Sequence, residues 1–462
     1  MLIASGSDMA RVLLVLPTAT YRAEEYLAAA EHLGAEIVIG SERAQALAAR
    51  MGEGFLELPL ERPDEAACLI AAQARRDPRL HLDAVVAVDD QGLMTAALAA
   101  AELGLRHNPP GAVALTRDKA GMRAAFARAG VPQPDFAVVA RAGADFFAEV
   151  AAAASRLGPP VVVKASSLSA SRGVIRADSA ADAAGAARRI NDILESDGDL
   201  AGRKGCSPLL VERFVPGPEV AVEGIISHGE AEIITVFDKP DPLDGPFFEE
   251  TLYVSPSKLS PGSLEAVHLA CRAAVRALGL TEGPFHAELR VPGASSVALL
   301  EVAARTIGGR CSTAMVMEDG SSLEEVVIAT ALGIRKGRAR LASPCGVLMI
   351  PIPASGTLVA VGGIKDARSV PGVTGVEIAI PLGRPVRRLP EGDRYLGFVF
   401  AAARSPDMVE AALREAHRLL RIEIDAAAGA AVAPPARLRL GRGAGAGAGG
   451  GAGGRGAPGT VT

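Results

Sequence analysis

Gly158-Pro159-Pro160-Val161-Val162-Val163-Lys164-Ala165 runs directly into Ser166-Ser167-Leu168-Ser169-Ala170-Ser171-Arg172-Gly173-Val174. The valine run is too short for a helix and suits a buried strand. A lysine closing such a strand is costly unless an anion meets it, and phosphate is the obvious anion. The loop that follows combines hydroxyls, small residues whose N–H groups can turn inward, and an arginine, so it can fold over a triphosphate and exclude water. Lys164, Ser169, Ser171, Arg172 and Gly173 are therefore candidate phosphate contacts. The competing reading is a serine-rich hairpin turn. No Gly-Lys-Ser/Thr follows, so this is not a Walker A loop.

Upstream, Thr116-Arg117-Asp118-Lys119 opens a helical stretch that Gly130 closes, a pattern an ordinary helix also explains. Downstream, Leu209-Leu210-Val211 leads into Glu212-Arg213-Phe214-Val215, then Pro216-Gly217-Pro218-Glu219 and a strand from Val220 to Ile226. A Pro-Gly turn thus carries a carboxylate on either side. His286-Ala287-Glu288-Leu289 and Leu299-Leu300-Glu301-Val302 read as neighbouring strands, each with one acid in apolar company. Buried carboxylates come paired or metal-bound, and Mg²⁺ takes a few carboxylate oxygens together with phosphate oxygens. Glu288 and Glu301 are the candidate metal ligands, against a structural ion pair with Arg290 or Arg305.

The order Lys119, Lys164, Glu212, Glu219, Glu288, Glu301, Arg305 resembles the ATP-grasp ligase superfamily. The resemblance implies an α/β protein: an N-terminal Rossmann-like (pre-ATP-grasp) domain, a two-lobed α+β nucleotide-binding core and a C-terminal lid domain. It further implies that Glu212 accepts from the adenine amino group and that the Arg213-Phe214-Val215 hinge meets the ring edge through backbone groups. Glu219 would take the ribose hydroxyls, and Lys119 and Lys164 the phosphates. Members activate a carboxylate as an acylphosphate that an amine or other nucleophile then attacks. A guanidinium fixed near both reacting centres stabilises both steps, the role implied for Arg305. Arg310, after Gly308-Gly309, would hold a substrate carboxylate. The family's commonest form has Asn two residues after the second glutamate, where this chain has Ala303; Glu-x-Ala-x-Arg occurs in carboxylate–amine ligases.

The segment from Phe237-Asp238-Lys239 through Gly245-Pro246-Phe247-Phe248-Glu249-Glu250 to Pro256 is similar to the substrate-facing segment of L-amino acid ligases and carnosine-synthase-like enzymes. By that likeness Glu250 recognises an amino substrate, and Tyr253 stands where relatives often have His. The implied activity is an ATP-dependent ligase forming a C–N bond from a small carboxylate and an amine, with ATP and Mg²⁺ (or Mn²⁺) as cofactors. A biotin-carboxylase-like enzyme, a purine-pathway-like ribonucleotide ligase and a catalytically silent ATP-binding regulator are the alternatives. The serine-rich flap speaks against the first, the lid region against the second, and the intact Glu288, Glu301 and Arg305 against the third.

The first hundred residues alternate short β-rich runs (Val12 to Leu16, Ile37 to Ile39, Phe55 to Leu58, Ala84 to Val88) with alanine-rich helical stretches, as βαβα units on a parallel sheet do. Asp89-Asp90 then stand at the carboxyl edge of that sheet, where ligands bind, with helix capping as the competing reading for one of them. No G-x-G-x-x-G run is present. The expected domains are 1–110, the small lobe 111–206, the large lobe 207–340, the lid 341–425 and a flexible Ala/Gly-rich tail 426–462.

Composition bounds the partners. Of 462 residues 49% are hydrophobic and 22% charged, a globular balance. A net charge of -5 and only 3% aromatic residues argue against a nucleic-acid surface. No apolar run reaches bilayer length, and the stretch Arg11 to Thr18, broken by Pro17, reads as a strand rather than a signal segment. Met9 is then the expected start, with residues 1 to 8 an extension. The five cysteines are scattered without a C-x-x-C pair, which fits reduced cytoplasmic thiols. The expected partners are small molecules, with no nucleic acid or membrane, and a homodimer is the one protein partner allowed for.

Overall fold

The structure, a computed structural model, describes residues 9–18, 20, 22–43, 54–77, 80–141, 143, 145–168, 171–196, 207–392 and 394–426. The extension before Met9, Ser169, Cys206 and the Ala/Gly-rich end from residue 427 lie outside the described residues.

Four parallel strands, Phe55–Glu57, Glu36–Ser41, Arg11–Val15 and Ala84–Ala87 in spatial order, form the N-terminal sheet. Its strands read as unbroken apolar runs because both faces are covered. Val12 and Leu14 pack into one core, Leu13 and Val15 into another. Asp89 and Asp90 follow the last of these strands directly, at its carboxyl end.

The small lobe is a four-stranded antiparallel sheet ordered Phe136–Val139, Leu209–Arg213, Val161–Ala165, Val174–Ala177. It thus draws a central strand from beyond residue 206. Val161, Val163, Leu209 and Val211 turn to the core shared with the helices Phe146–Leu157 and Ala180–Ser196. Side chains alternate along a strand, so Val162 and Lys164 face the other way. Because Val162 pairs with Glu212, Lys164 and Glu212 share that opposite face.

Eight antiparallel strands make the large sheet: Ser296–Ala303, Gly283–Gly293, Glu219–Ser227, Glu230–Lys239, Leu252–Ser255, Cys345–Ile350, Gly397–Ala402 and Val373–Ile378 in spatial order. The sheet runs across residue 340, where the sequence reading placed a boundary: three of its strands come from the C-terminal segment. One face carries Val220, Val222, Phe285, Ala287 and Leu289 into a core against the helix Pro261–Leu278. The register sets the other face. Glu219 lies opposite both Lys239 and Arg290, Glu223 opposite His286, and Glu288 opposite Glu301. A small sheet of Pro385–Val386, Gly356–Gly362 and Arg421–Asp425 completes the C-terminal part.

Candidate active site

The polar face of the large sheet, the inner face of the small lobe and the carboxyl edge of the N-terminal sheet enclose one cavity of about 960 Å³. Lys119, Lys164, Ser171, Glu212, Arg213, Phe214, Val215, Glu219, Glu250, Glu288, Glu301 and Arg305 all line it. Residues spread over nearly two hundred positions therefore converge on one cavity. Arg172, Gly173 and Arg310 are not among the lining residues.

Glu212 is the ionic centre of the small-lobe side. Its carboxylate accepts from Arg123 Nε at 2.6 Å and lies 2.7 Å from Lys164 Nζ. Burial opposes its ionisation, yet Arg123 and Lys164 together hold its pKa down at about 2. Burial in turn pulls the Lys164 ammonium below its usual range, against the attraction of Glu212. The anion expected for Lys164 was phosphate; the fold supplies Glu212, because the strand register puts both on one face. Arg123 is a residue the sequence reading missed. It is 1% exposed and also donates to the carbonyls of Leu299 at 3.1 Å and Leu300 at 2.6 Å. Its signal was the four-residue spacing from Lys119, which puts both on one face of the helix Lys119–Ala129. Asp118 caps that helix through the N–H of Ala120. Lys119 then reaches Leu168 O at 2.7 Å and Glu301 Oε1 at 3.1 Å, linking the flap to the large sheet.

In the hinge, the Phe214 N–H is donated to Pro160 O at 3.0 Å and the Arg213 N–H to Asp135 O at 2.9 Å, so these two amides are already engaged by the small lobe. The Arg213 side chain turns outward to Leu157 O. The Phe214 ring lies between the guanidinium groups of Arg176 and Arg290, 4.5 and 5.4 Å from its centroid. The flap is closed onto the rest of the molecule: Gly173 donates to Pro390 O at 3.4 Å, and Arg176 to Pro246 O at 2.9 Å.

Lys239, quoted in the sequence reading without a role, sits at the middle of the large-sheet side. Its ammonium contacts Glu219 at 2.7 Å, Glu250 at 2.6 Å and Glu288 at 3.1 Å, and lies 5.1 Å from the centroid of the Tyr253 ring. Burial acts against its charge, but the three carboxylates hold its pKa well above the usual lysine range. Oxygens of these three carboxylates lie within 4.8 Å of one another. Burial lifts Glu250 to about 7, with Lys239 pulling against it and Glu288 adding to it. Glu288 goes the other way: despite burial, Lys239 and then His286 hold it well below the carboxylate range. Glu219 also accepts from Arg290 Nε at 2.8 Å. Both glutamates do stand in ion pairs, but with lysines: Glu288 meets Lys239 and Glu301 meets Lys119, while Arg305 meets Asp90 and Arg290 meets Glu219.

Arg305 Nε lies 2.9 Å from Asp90 Oδ2, and its Nη1 donates to Thr306 O at 3.0 Å. Arg310 departs from its expected role. In a left-handed backbone conformation (φ 54°), it pairs with Glu25 at 2.5 Å and with Glu377, fastening the helix Ala23–Leu33 to the strand Val373–Ile378. It serves as a structural clasp because two acids reach it from opposite sides, outside the cavity lining.

Residues 157–314 match the ATP-grasp domain family, and residues 348–425 match L-amino acid ligase C-terminal domain 2. The chain carries an ATP-grasp domain. Its fold is that of a crystal structure of L-amino acid ligase from Bacillus licheniformis, with a TM-score of 0.76, 24% identity, and coverage of 91% of this chain and 100% of that one. Among curated sequences, alanine–anticapsin ligase of Bacillus subtilis is 27% identical over 239 residues, 49% of either chain. Mouse carnosine synthase 1 is 30% identical over 239 residues, 50% of this chain and 29% of that one. The chain thus spans about half the length of the first of these curated relatives and less than a third of the second. No helix among the described residues is long and apolar enough to cross a membrane.

Proposed function

We propose that this ATP-grasp chain is a carboxylate–amine ligase that uses ATP and Mg²⁺ to activate a small carboxylate, an amino acid in the leading case, and joins it to an amine with release of ADP and phosphate. One observation carries the reading. Glu288 and Glu301 face each other across adjacent strands, in one cavity with Arg305, Lys119 and Glu250. Directly opposed residues have Cβ atoms about 5 Å apart, close enough for two carboxylates to share an ion. Glu288 and Glu301 would hold Mg²⁺ (or Mn²⁺), which when bound neutralises charge on the phosphates. The acids already outnumber the cation at Lys239, so a divalent ion or a substrate ammonium fits the local charge.

The remaining roles follow from position. Lys119 and Lys164 offer positive charge toward the triphosphate, under the flap that carries Ser169, Ser171, Arg172 and Gly173. Glu212 with Val215 fits the base, and Glu219 the ribose. A carboxylate oxygen of the first substrate attacks the γ-phosphorus and ADP leaves; the amine then attacks the acyl carbon, phosphate leaves and the nitrogen sheds a proton. Arg305 stabilises charge on the phosphoryl and then on the tetrahedral carbon. Glu250, clustered with Glu219 and Glu288 about Lys239, receives the amino group of a substrate. The names of the relatives, alanine–anticapsin ligase and carnosine synthase, support the amino acid class. The free thiols of Cys271, Cys311 and Cys345 suit a reducing cytoplasm, and a homodimer remains our expectation of assembly.

The test is product analysis with Mg-ATP and pooled carboxylates and amines. ADP and phosphate released only when one acid and one amine are both present is the expected result. Release stimulated by bicarbonate with biotin would overturn it in favour of carboxylation.

A further inference from the structure

Three successive residues at the end of the strand Ser296–Ala303 are each fastened to a different element. Arg305 Nε lies 2.9 Å from Asp90 Oδ2, at the carboxyl edge of the N-terminal sheet. The Thr306 hydroxyl accepts from Arg22, also of the N-terminal module. The Ile307 N–H is donated at 2.9 Å to Glu223, a fully buried carboxyl on the central strand Glu219–Ser227. The second holds the Thr306 side chain and the third the Ile307 backbone N–H, and neither of these residues lines the cavity. The first holds Arg305, which does line it.

We propose that Asp90 is a positioning residue for the reaction: it orients the guanidinium of Arg305, and through that contact the N-terminal module takes part in catalysis. The inference rests on the ligase reading of Arg305. A guanidinium on a flexible stem stabilises developing charge only when its direction is set beforehand, and a carboxylate on a sheet edge is a rigid partner for one side of the planar fork. Asp90 is suited to stay ionised in that place. Burial works against its charge, and the adjacent Arg305 overcomes this and keeps its carboxyl below the usual range. Asp90 lines the same cavity, so the contact stands beside the reacting groups rather than in a remote seam.

A plain interdomain ion pair would show the same distance, and a double-mutant cycle separates the two cases. Asp90→Asn, Asp90→Glu, Arg305→Ala and the Asp90→Asn/Arg305→Ala pair are compared in the full chain for kcat, for KM of ATP and for melting temperature. Asp90→Asn should lower kcat about 10- to 100-fold, the usual cost of losing the group that orients a functional side chain, with KM for ATP unchanged. Asp90→Glu, which keeps the charge, should recover part of the rate. The double variant should be no slower than Arg305→Ala alone. An Asp90→Asn enzyme at wild-type kcat, with Arg305→Ala inactive, overturns the inference and leaves the reading of Arg305 standing. Wild-type turnover in Arg305→Ala sinks both. An equal loss from Asp90→Asn with and without Arg305, or a loss matched only by a fall in melting temperature that Asp90→Glu does not relieve, assigns Asp90 a structural role instead.

Discussion

Replacing Glu212 with Gln removes the carboxylate that Lys164 and Arg123 share, and its cost can be worked from the structure. Glu212 is 3% exposed, so solvent screens the pair little. Its pKa falls from 4.5 in an ordinary setting to about 2 in the fold. At 1.36 kcal/mol per pKa unit, that depression corresponds to about 3 kcal/mol of stability at neutral pH. The sign follows from the direction of the shift. A carboxyl held low in the native state contributes fully above its unfolded pKa and loses that contribution as pH falls toward its folded one. The wild-type protein should therefore exceed Glu212→Gln by about 3 kcal/mol at pH 7, and by about 2 kcal/mol less than that at pH 3. The amide leaves two buried cations without their anion, a loss that independently runs to about 3–5 kcal/mol. Hydrogen exchange of the strand amides in Val161–Ala165 and Leu209–Arg213, corrected for intrinsic rates, reads the local opening free energy at each pH. A difference below about 1 kcal/mol at pH 7, or one independent of pH, would falsify the assignment of this pair as the small lobe's ionic centre.

Glu301→Gln should leave melting temperature and circular dichroism near wild type while lowering kcat by about 100-fold or more, because one partner for charge in the transition state is lost; unchanged turnover removes the metal assignment. Asp89 offers a pH test of the N-terminal edge. Burial raises its pKa to about 6, against the hydrogen bond it accepts from the Gln91 N–H. A carboxyl raised in the fold favours the native state below its unfolded pKa and loses that advantage as pH climbs through about 6. Asp89→Asn keeps the acceptor, so the variant should melt higher than wild type at pH 8 and equally at pH 4; a higher melting point at both would point to another cause. Arg310→Met should lower the melting temperature and leave KM for both substrates unchanged, as suits the clasp between Glu25 and Glu377. A selective rise in KM for the carboxylate would restore Arg310 to the substrate site.

The N-terminal strands and those bearing Lys164, Glu212, Glu288 and Glu301 were legible in the sequence because strand patterning is a local property. Period-two alternation, the Pro-Gly punctuation at Pro216-Gly217 and the glycine at Gly130 each act within a few residues. The seven residues of the motif order from Lys119 to Arg305 all line one cavity, together with five further candidates, Ser171, Arg213, Phe214, Val215 and Glu250. Two features escaped. Arg123 carries no motif of its own, and its spacing from Lys119 was the signal. Lys239 was visible but had no role, since its three carboxylates come from positions 219 and 288 on two strands and 250 in a connecting loop.

What the sequence determined by itself was the set of chemical groups and the elements that bear them. Only the tertiary structure decided which cation meets which anion. Lys164 meets Glu212 because Val162 and Glu212 are paired in register, and a shift of one residue would send Lys164 into the hydrophobic core. Arg310 leaves the site because Glu25 and Glu377 reach it from two separate parts of the fold. Arg305 meets Asp90, more than two hundred residues earlier. Electrostatic pairing depends on distances of a few ångströms and on burial, and both are set by long-range packing that no local pattern encodes.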